Sequence, residues 1–157
     1  MSECVKTIAV ACDHGAFDLK QVIMEHLREA GYEVTDFGCY EKASMDYPDV
    51  AFPMAEAVAA GKFDRGIVMC TTGIGVSICC NKVRGIRCAL CTSEFAARMT
   101  RKHNDTNILA MGAEIISVEE ALKITDIWLT TAFDGIQPDQ ARHLRRVNKI
   151  VDYENRF

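Results

Sequence analysis

Gly66-Ile67-Val68-Met69-Cys70-Thr71-Thr72-Gly73-Ile74-Gly75 decides the architecture. Its first half has no polar face when read as a strand, which suits the middle of a parallel sheet covered by helices on both sides. Its second half turns polar at Thr71 and then small, where a helix can begin. The unit is a buried strand, a turn, and a helix from Gly75 to Val83. Upstream the same unit recurs. Lys6 to Cys12 is an apolar run rich in β-branched residues, followed by Asp13-His14-Gly15 and a helical pattern of Leu19, Val22, Ile23, Leu27 and Ala30 that stops at Gly31. Glu33 to Phe37 reads as a short strand, and Val50 to Ala60 as a helix closed by Gly61.

Downstream the alternation continues. Ile86 to Cys91 is a strand, Ser93 to His103 a helix capped by Ser93, and Asn107 to Met111 a strand. Ser117-Val118-Glu119-Glu120 is a capping box that opens a helix running to about Thr130, with Ala121, Ile124, Ile127 and Trp128 on neighbouring faces. Phe133-Asp134-Gly135-Ile136-Gln137-Pro138 breaks it. A last helix from about Asp139 carries Leu144, Val147, Ile150 and Val151 as an apolar stripe, a face suited to another subunit. Regular alternation predicts an α/β protein: a Rossmann-like three-layer sandwich with a five-stranded parallel sheet, right-handed connections and one domain over residues 1–157.

Bulk properties narrow the function classes. Hydrophobic residues make up 49% and charged residues 25% of the 157, the balance of a folded soluble chain. No apolar run approaches the roughly 18 residues of a membrane span, and Met1 to Lys6 lack a signal-peptide layout, so a cytoplasmic protein without membrane contact is expected. A net charge of −4 with a pI near 5.6 gives no general attraction to nucleic acid. Arg142-His143-Leu144-Arg145-Arg146 is too short to follow a duplex but adequate for one phosphate.

The eight cysteines lie largely in apolar runs of a chain long enough to fold without staples, and they read as reduced thiols. Cys88-Ala89-Leu90-Cys91 has the spacing of a zinc motif. On a strand, however, residues three apart face opposite sides, so no metal site is expected there.

Ligands of such sheets bind where strands lead into helices. The exits offer Asp13-His14, then Cys70 to Gly75, then Thr92-Ser93, and His103-Asn104-Asp105 is read as converging with them. Around Thr72, Gly73 and Gly75 a ligand can approach backbone N–H groups, so the turn can hold a phosphate or a developing oxyanion. It has neither the Gly-Lys-Ser/Thr ending of a P-loop nor the Gly-x-Gly-x-x-Gly fingerprint. Cys70 at the strand tip can be stabilised as a thiolate, and the same N–H groups can steady an enediolate. Cys4, Cys12, Cys39, Cys79, Cys80, Cys88 and Cys91 read as inert thiols. His103, in a polar turn, suits acid–base work. His26 reads as a packing or interface residue, and His143, among arginines, as a surface residue or a ligand contact.

Ala11-Cys12-Asp13-His14-Gly15, Asp46-Tyr47-Pro48-Asp49, Cys70-Thr71-Thr72-Gly73-Ile74-Gly75, Asn81-Lys82-Val83-Arg84-Gly85-Ile86-Arg87 and His103-Asn104-Asp105-Thr106-Asn107, in that order, resemble the ribose-5-phosphate isomerase B and galactose-6-phosphate isomerase family over nearly the whole chain. The resemblance implies metal- and cofactor-independent interconversion of an aldose phosphate and a ketose phosphate through a cis-enediolate. It makes Cys70 the base that moves the proton between C2 and C1, with Thr72 and the backbone of Thr71, Gly73, Ile74 and Gly75 holding the negative oxygen. His103 with Asp13 would open the sugar ring. Asn104 and Tyr47 would contact the sugar, and His14, Arg142 and Arg146 the phosphate. The implied assembly is a homodimer or dimer of dimers with a shared active site, in which the C-terminal helix takes part.

One branch of that family uses a Glu base at the position of Val76, which cannot take a proton. His103-Asn104-Asp105 favours ribose phosphate over galactose phosphate. Against this, Thr71 stands where Gly is usual, Glu114 where relatives often carry a phosphate-contacting Arg, and Gly135 to Ala141 replaces a shorter Gly-Gly approach. A hexose or tetrose phosphate therefore stays open as substrate, as does a non-catalytic sugar-phosphate-binding protein.

Overall fold

A computed structural model describes residues 5–156; Cys4 lies outside them. Five strands, β1 (Thr7–Cys12), β2 (Glu33–Asp36), β3 (Arg65–Cys70), β4 (Cys88–Leu90) and β5 (Ile108–Gly112), form one sheet in the order β2-β1-β3-β5-β4, every pairing parallel. Between them run α1 (Phe17–Glu29), α2 (Pro48–Ala59), α3 (Ile74–Cys80) and α4 (Glu94–Asn104), followed by α5 (Val118–Thr130) and α6 (Ala141–Glu154). The expected α/β sandwich is the one observed.

β3 sits at the centre because both its faces must be covered. Ile67 and Met69 join Ile8, Val10, Leu109 and Met111 on the side closed by Leu19, Ile23 and Leu27 of α1 and Ala121, Ile124 and Trp128 of α5. Val68 and Cys70 join Ala9, Ala11 and Ala110 on the other, where the small alanines admit Ala51, Met54 and Ala55 of α2 and Val76 of α3. Cys88 and Cys91 fall into these opposite layers, as strand geometry requires. Among the described residues no cluster of three or more His, Cys, Asp or Glu could hold a metal, and no helix is long and apolar enough to cross a membrane.

Two elements are shorter than the sequence pattern. The third helix ends at Cys80 rather than Val83 because Asn81 turns the chain back, donating to the carbonyls of Ser77 and Cys88 and accepting from the N–H of Cys88. β4 keeps only Cys88–Leu90 of the expected Ile86–Cys91, since Arg87 is drawn to Asn107 by its N–H and to the Asn104 and Asp105 carbonyls by its guanidinium. The capping box closes as expected, Ser117 and Glu120 satisfying each other's backbone N–H groups.

Trp128 is fully buried and its indole N–H donates to Thr106 Oγ1 at 2.9 Å. Trp128→Ala leaves a large cavity and leaves the Thr106 hydroxyl with only the longer contact from Thr100, and is expected to cost about 3–5 kcal/mol, read as a lowered denaturant midpoint.

Candidate active site

Strand order reverses between β1 and β3, and the crevice at such a switch point is where a doubly wound sheet takes its ligand. β1 ends in Cys12 and delivers Asp13, buried at 7% exposure, whose Oδ1 accepts from the N–H of Gly15 at 2.9 Å. β3 ends in Cys70 and delivers the turn to α3. Gly15 packs against the Thr71 hydroxyl and the Asp13 carboxylate, so the two exits meet.

Gly73 sets the geometry of that turn. Its φ is +77°, and a Cβ there would lie 2.8 Å from the Met111 carbonyl carbon and 2.9 Å from its oxygen, so only glycine fits. This backbone turns the Gly73 N–H onto Cys70 Sγ at 3.0 Å. Thr72 Oγ1 accepts from the Ile74 N–H at 3.3 Å, and the Tyr47 ring lies over Gly75, within 2.8 Å of where a Cβ would stand. Val76 is fully buried, in the same core layer as Cys70.

The remaining cysteines have no comparable setting. Burial pushes Cys12 up to about 12, with the neighbouring Cys39 thiol adding to the rise; their sulfurs are 3.8 Å apart. Burial alone takes Cys91 to about 12. Cys79 is raised chiefly by burial, and Cys88 chiefly by its contact with Cys80. All seven described cysteines are free thiols.

His14 is exposed beside the same crevice, its Nδ1 accepting from the Met45 N–H at 3.4 Å, so a neutral ring there carries its proton on Nε2. A groove of about 280 Å³ runs past His14, Asp18, Lys42 and Glu114, with Lys42 paired to Asp18 at 2.8 Å. Glu114 is exposed, and its N–H donates to the Thr71 carbonyl.

His103 and Asn104 do not join this group within one chain. The segment was expected among the strand exits, but α4 runs back against the strands and ends where β5 begins, with Asn104 beside Arg87 at the entry to β4. Cys70 pairs in register with Gly112, at the far end of β5 from Ile108, so the two edges are about 13 Å apart along the strands. His103 instead faces α6. Its ring stacks on His143 with centroids 4.2 Å apart and planes within 6°, and Lys102 next to it binds Asp134 at 3.1 Å. Arg142 and Arg146, both exposed and one turn apart, flank His143.

Each chain thus presents two separate groups of candidate residues: Asp13, His14, Tyr47 and Cys70 to Gly75 at one sheet edge, and His103, Asn104, Arg142 and Arg146 at the other. Of the two readings of His143, surface residue or ligand contact, the first does not hold. His143 is 4% exposed, pairs with Val147 as the buried i, i+4 stripe of α6, and its Nε2 has no hydrogen-bond partner. Leu144 and Ile150, expected in that stripe, are exposed instead.

Sequence reasoning missed a second residue. Lys20 is wholly buried in α1, where its ammonium binds both Asp36 oxygens at 2.7 Å and the Cys39 carbonyl, between the rings of Phe17 and Tyr40. The clamp fixes the start of the loop that leads to Tyr47. Its signal, an unusual lysine among the apolar positions of α1, is visible only once Asp36 is known to lie beneath it. His26 ties α1 to α5 through Asp126 at 2.6 Å, a packing role as expected.

The family model described as Ribose/Galactose Isomerase matches residues 8–150. The chain is 43% identical to ribose-5-phosphate isomerase B of Escherichia coli K12, covering 97% of this chain and 99% of that protein. It is 40% identical to D-erythrulose-4-phosphate isomerase of Pectobacterium atrosepticum, covering 95% of each. The solved ribose-5-phosphate isomerase B of Clostridium thermocellum superimposes with a TM-score of 0.91 at 48% identity, over 96% of this chain and 98% of that one.

Proposed function

Because the chain belongs to the ribose/galactose isomerase family and is a sugar-phosphate isomerase, we propose that it interconverts D-ribose 5-phosphate and D-ribulose 5-phosphate, with Cys70 as the base. The observation that carries this reading is the Gly73 N–H held on Cys70 Sγ at the switch point. That donor keeps the sulfur at the mouth of a turn whose backbone N–H groups can also steady an oxyanion.

Isomerisation needs a ring opened, a proton moved between adjacent carbons and a negative oxygen held meanwhile. His103 with Asp13 moves the protons of ring opening. Cys70 then takes the C2 proton of the open aldose, forming the cis-enediolate, and returns it to C1. Thr72 and the turn from Thr71 through Gly73 and Ile74 to Gly75 hold the enediolate oxygen. Tyr47 and Asn104 contact the sugar hydroxyls, while His14, Arg142 and Arg146 take the phosphate.

Such a site requires two copies of the chain, the Cys70 half-site of one facing the His103 half-site of the other. In support, Ile74 and Ile78 of α3 are more than half exposed beside Cys70, as is Phe95 of α4, and Leu144 and Ile150 leave α6 with an apolar outer face.

Glu114 favours a second reading, in which another sugar phosphate, a hexose or a tetrose phosphate, is preferred. Its carboxylate borders the groove beside His14, where it would oppose a dianion unless countered by Arg142 or Arg146. A panel of ribose 5-phosphate, allose 6-phosphate, galactose 6-phosphate and erythrulose 4-phosphate decides between them. The highest kcat/KM is expected for ribose 5-phosphate, and a clear preference for a hexose phosphate or the tetrose phosphate would replace that assignment.

A further inference from the structure

His143 is the one described buried side chain whose nitrogen lacks a hydrogen-bond partner. An apolar ring of similar size would fill the same space without stranding Nε2, so packing alone does not account for an imidazole here. Its other distinctive feature is the parallel stack on His103.

We propose that His143 is a positioning residue for the proton transfer assigned to His103: its flat, uncharged face fixes the plane in which His103 presents its nitrogens to the sugar ring. The inference rests on the functional reading above.

Every charged group around His143 supports the uncharged state except one. Burial lowers its proton affinity most, and His103 on α4 with Arg142 and Arg146 on α6 lower it further, while Asp134 opposes them. Asp134 is itself engaged by Lys102, which limits its pull. An uncharged imidazole can lie flat against the His103 ring at 4.2 Å, whereas two charged rings at that distance would repel. His103 is half-buried and borders the exposed Asn104, so it is the member of the pair that a substrate can reach.

The test separates ring opening from enediolate chemistry. Ribose 5-phosphate must be opened before C2 can be deprotonated, whereas ribulose 5-phosphate is already open-chain and can exchange a C1 proton with solvent through Cys70 alone. His143→Ala is expected to lower kcat for ribose 5-phosphate about 10- to 100-fold with KM little changed, while C1 exchange of ribulose 5-phosphate in D2O stays within about threefold. His143→Phe, which keeps a stackable ring of similar volume, is expected to recover most of the loss. Parallel falls in isomerisation and exchange would overturn the proposal by making His143 a general structural residue. A phenylalanine variant no better than the alanine one would overturn it too, by placing the role on the nitrogen. Parent protein that exchanges no C1 proton overturns instead the functional reading, and the inference with it.

Discussion

Cys70→Ala is expected to lower isomerisation by about 10²–10⁴-fold while leaving the melting curve close to that of the parent. Cys70 is 6% exposed, and although the substitution removes the acceptor of the Gly73 N–H, the close fit of Gly73 against Met111 still shapes the turn, so most of the loss falls on chemistry. No neighbouring group can substitute. Val76 offers only methyls and lies in the core, Thr72 Oγ1 is a far weaker base, and Cys79, across α3, is held neutral by burial. Cys70→Ser should be nearly as poor, because a hydroxyl in the same place gives up its proton much less readily than a thiol. A coupled assay for ketose formation measures both variants, and parent-like rates in Cys70→Ala would remove the proposed base.

The second large effect concerns two inactive proteins that become active when mixed. Cys70→Ala and His103→Ala subunits each lack one half-site, and each homodimer then has two damaged sites. In a mixed dimer one site collects both lesions and the other none. With random pairing about half the dimers are mixed, and each holds one intact site of two, so about a quarter of parent activity is expected after denaturation, mixing and refolding at equal ratio. Activity no higher than that of either variant alone would mean that His103 and Cys70 do not meet across an interface. The roughly 13 Å of sheet between the two edges is the reason to expect recovery.

Much of this was legible in the sequence. A strand apolar on both faces announced the buried centre of a parallel sheet, and β3 is that centre. Ser117 and Glu120 announced the start of α5 to the residue. Cys70 stood out from the other thiols by its place at a strand tip before Thr72 and Gly73. Legibility failed where partners are distant in sequence. Asn81 shortens α3 by reaching Cys88, Arg87 shortens β4 by reaching Asn104, and Lys20 is buried because Asp36 waits beneath it.

The placement of His103 and the surface reading of His143 fail for a different reason. Histidine does not count as apolar, so the apolar pattern of α6 runs through Leu144 and Ile150, yet the spacing of His143 to Val147 marks the buried face. His103 was grouped with the strand exits, although a helix between parallel strands must return to the entry edge. That rule alone places it across the sheet from Cys70.

On the shared-site reading, the separation of the half-sites across the sheet also governs when the chemistry can begin. A newly made chain that has folded but found no mate holds a nucleophilic sulfur without the group that opens sugars, and a phosphate clamp facing empty solvent. It cannot open a sugar ring, and so cannot turn over an aldose phosphate. Assembly would then serve as the enzyme's own starting signal, and the sheet as the spacer that keeps the solitary chain silent.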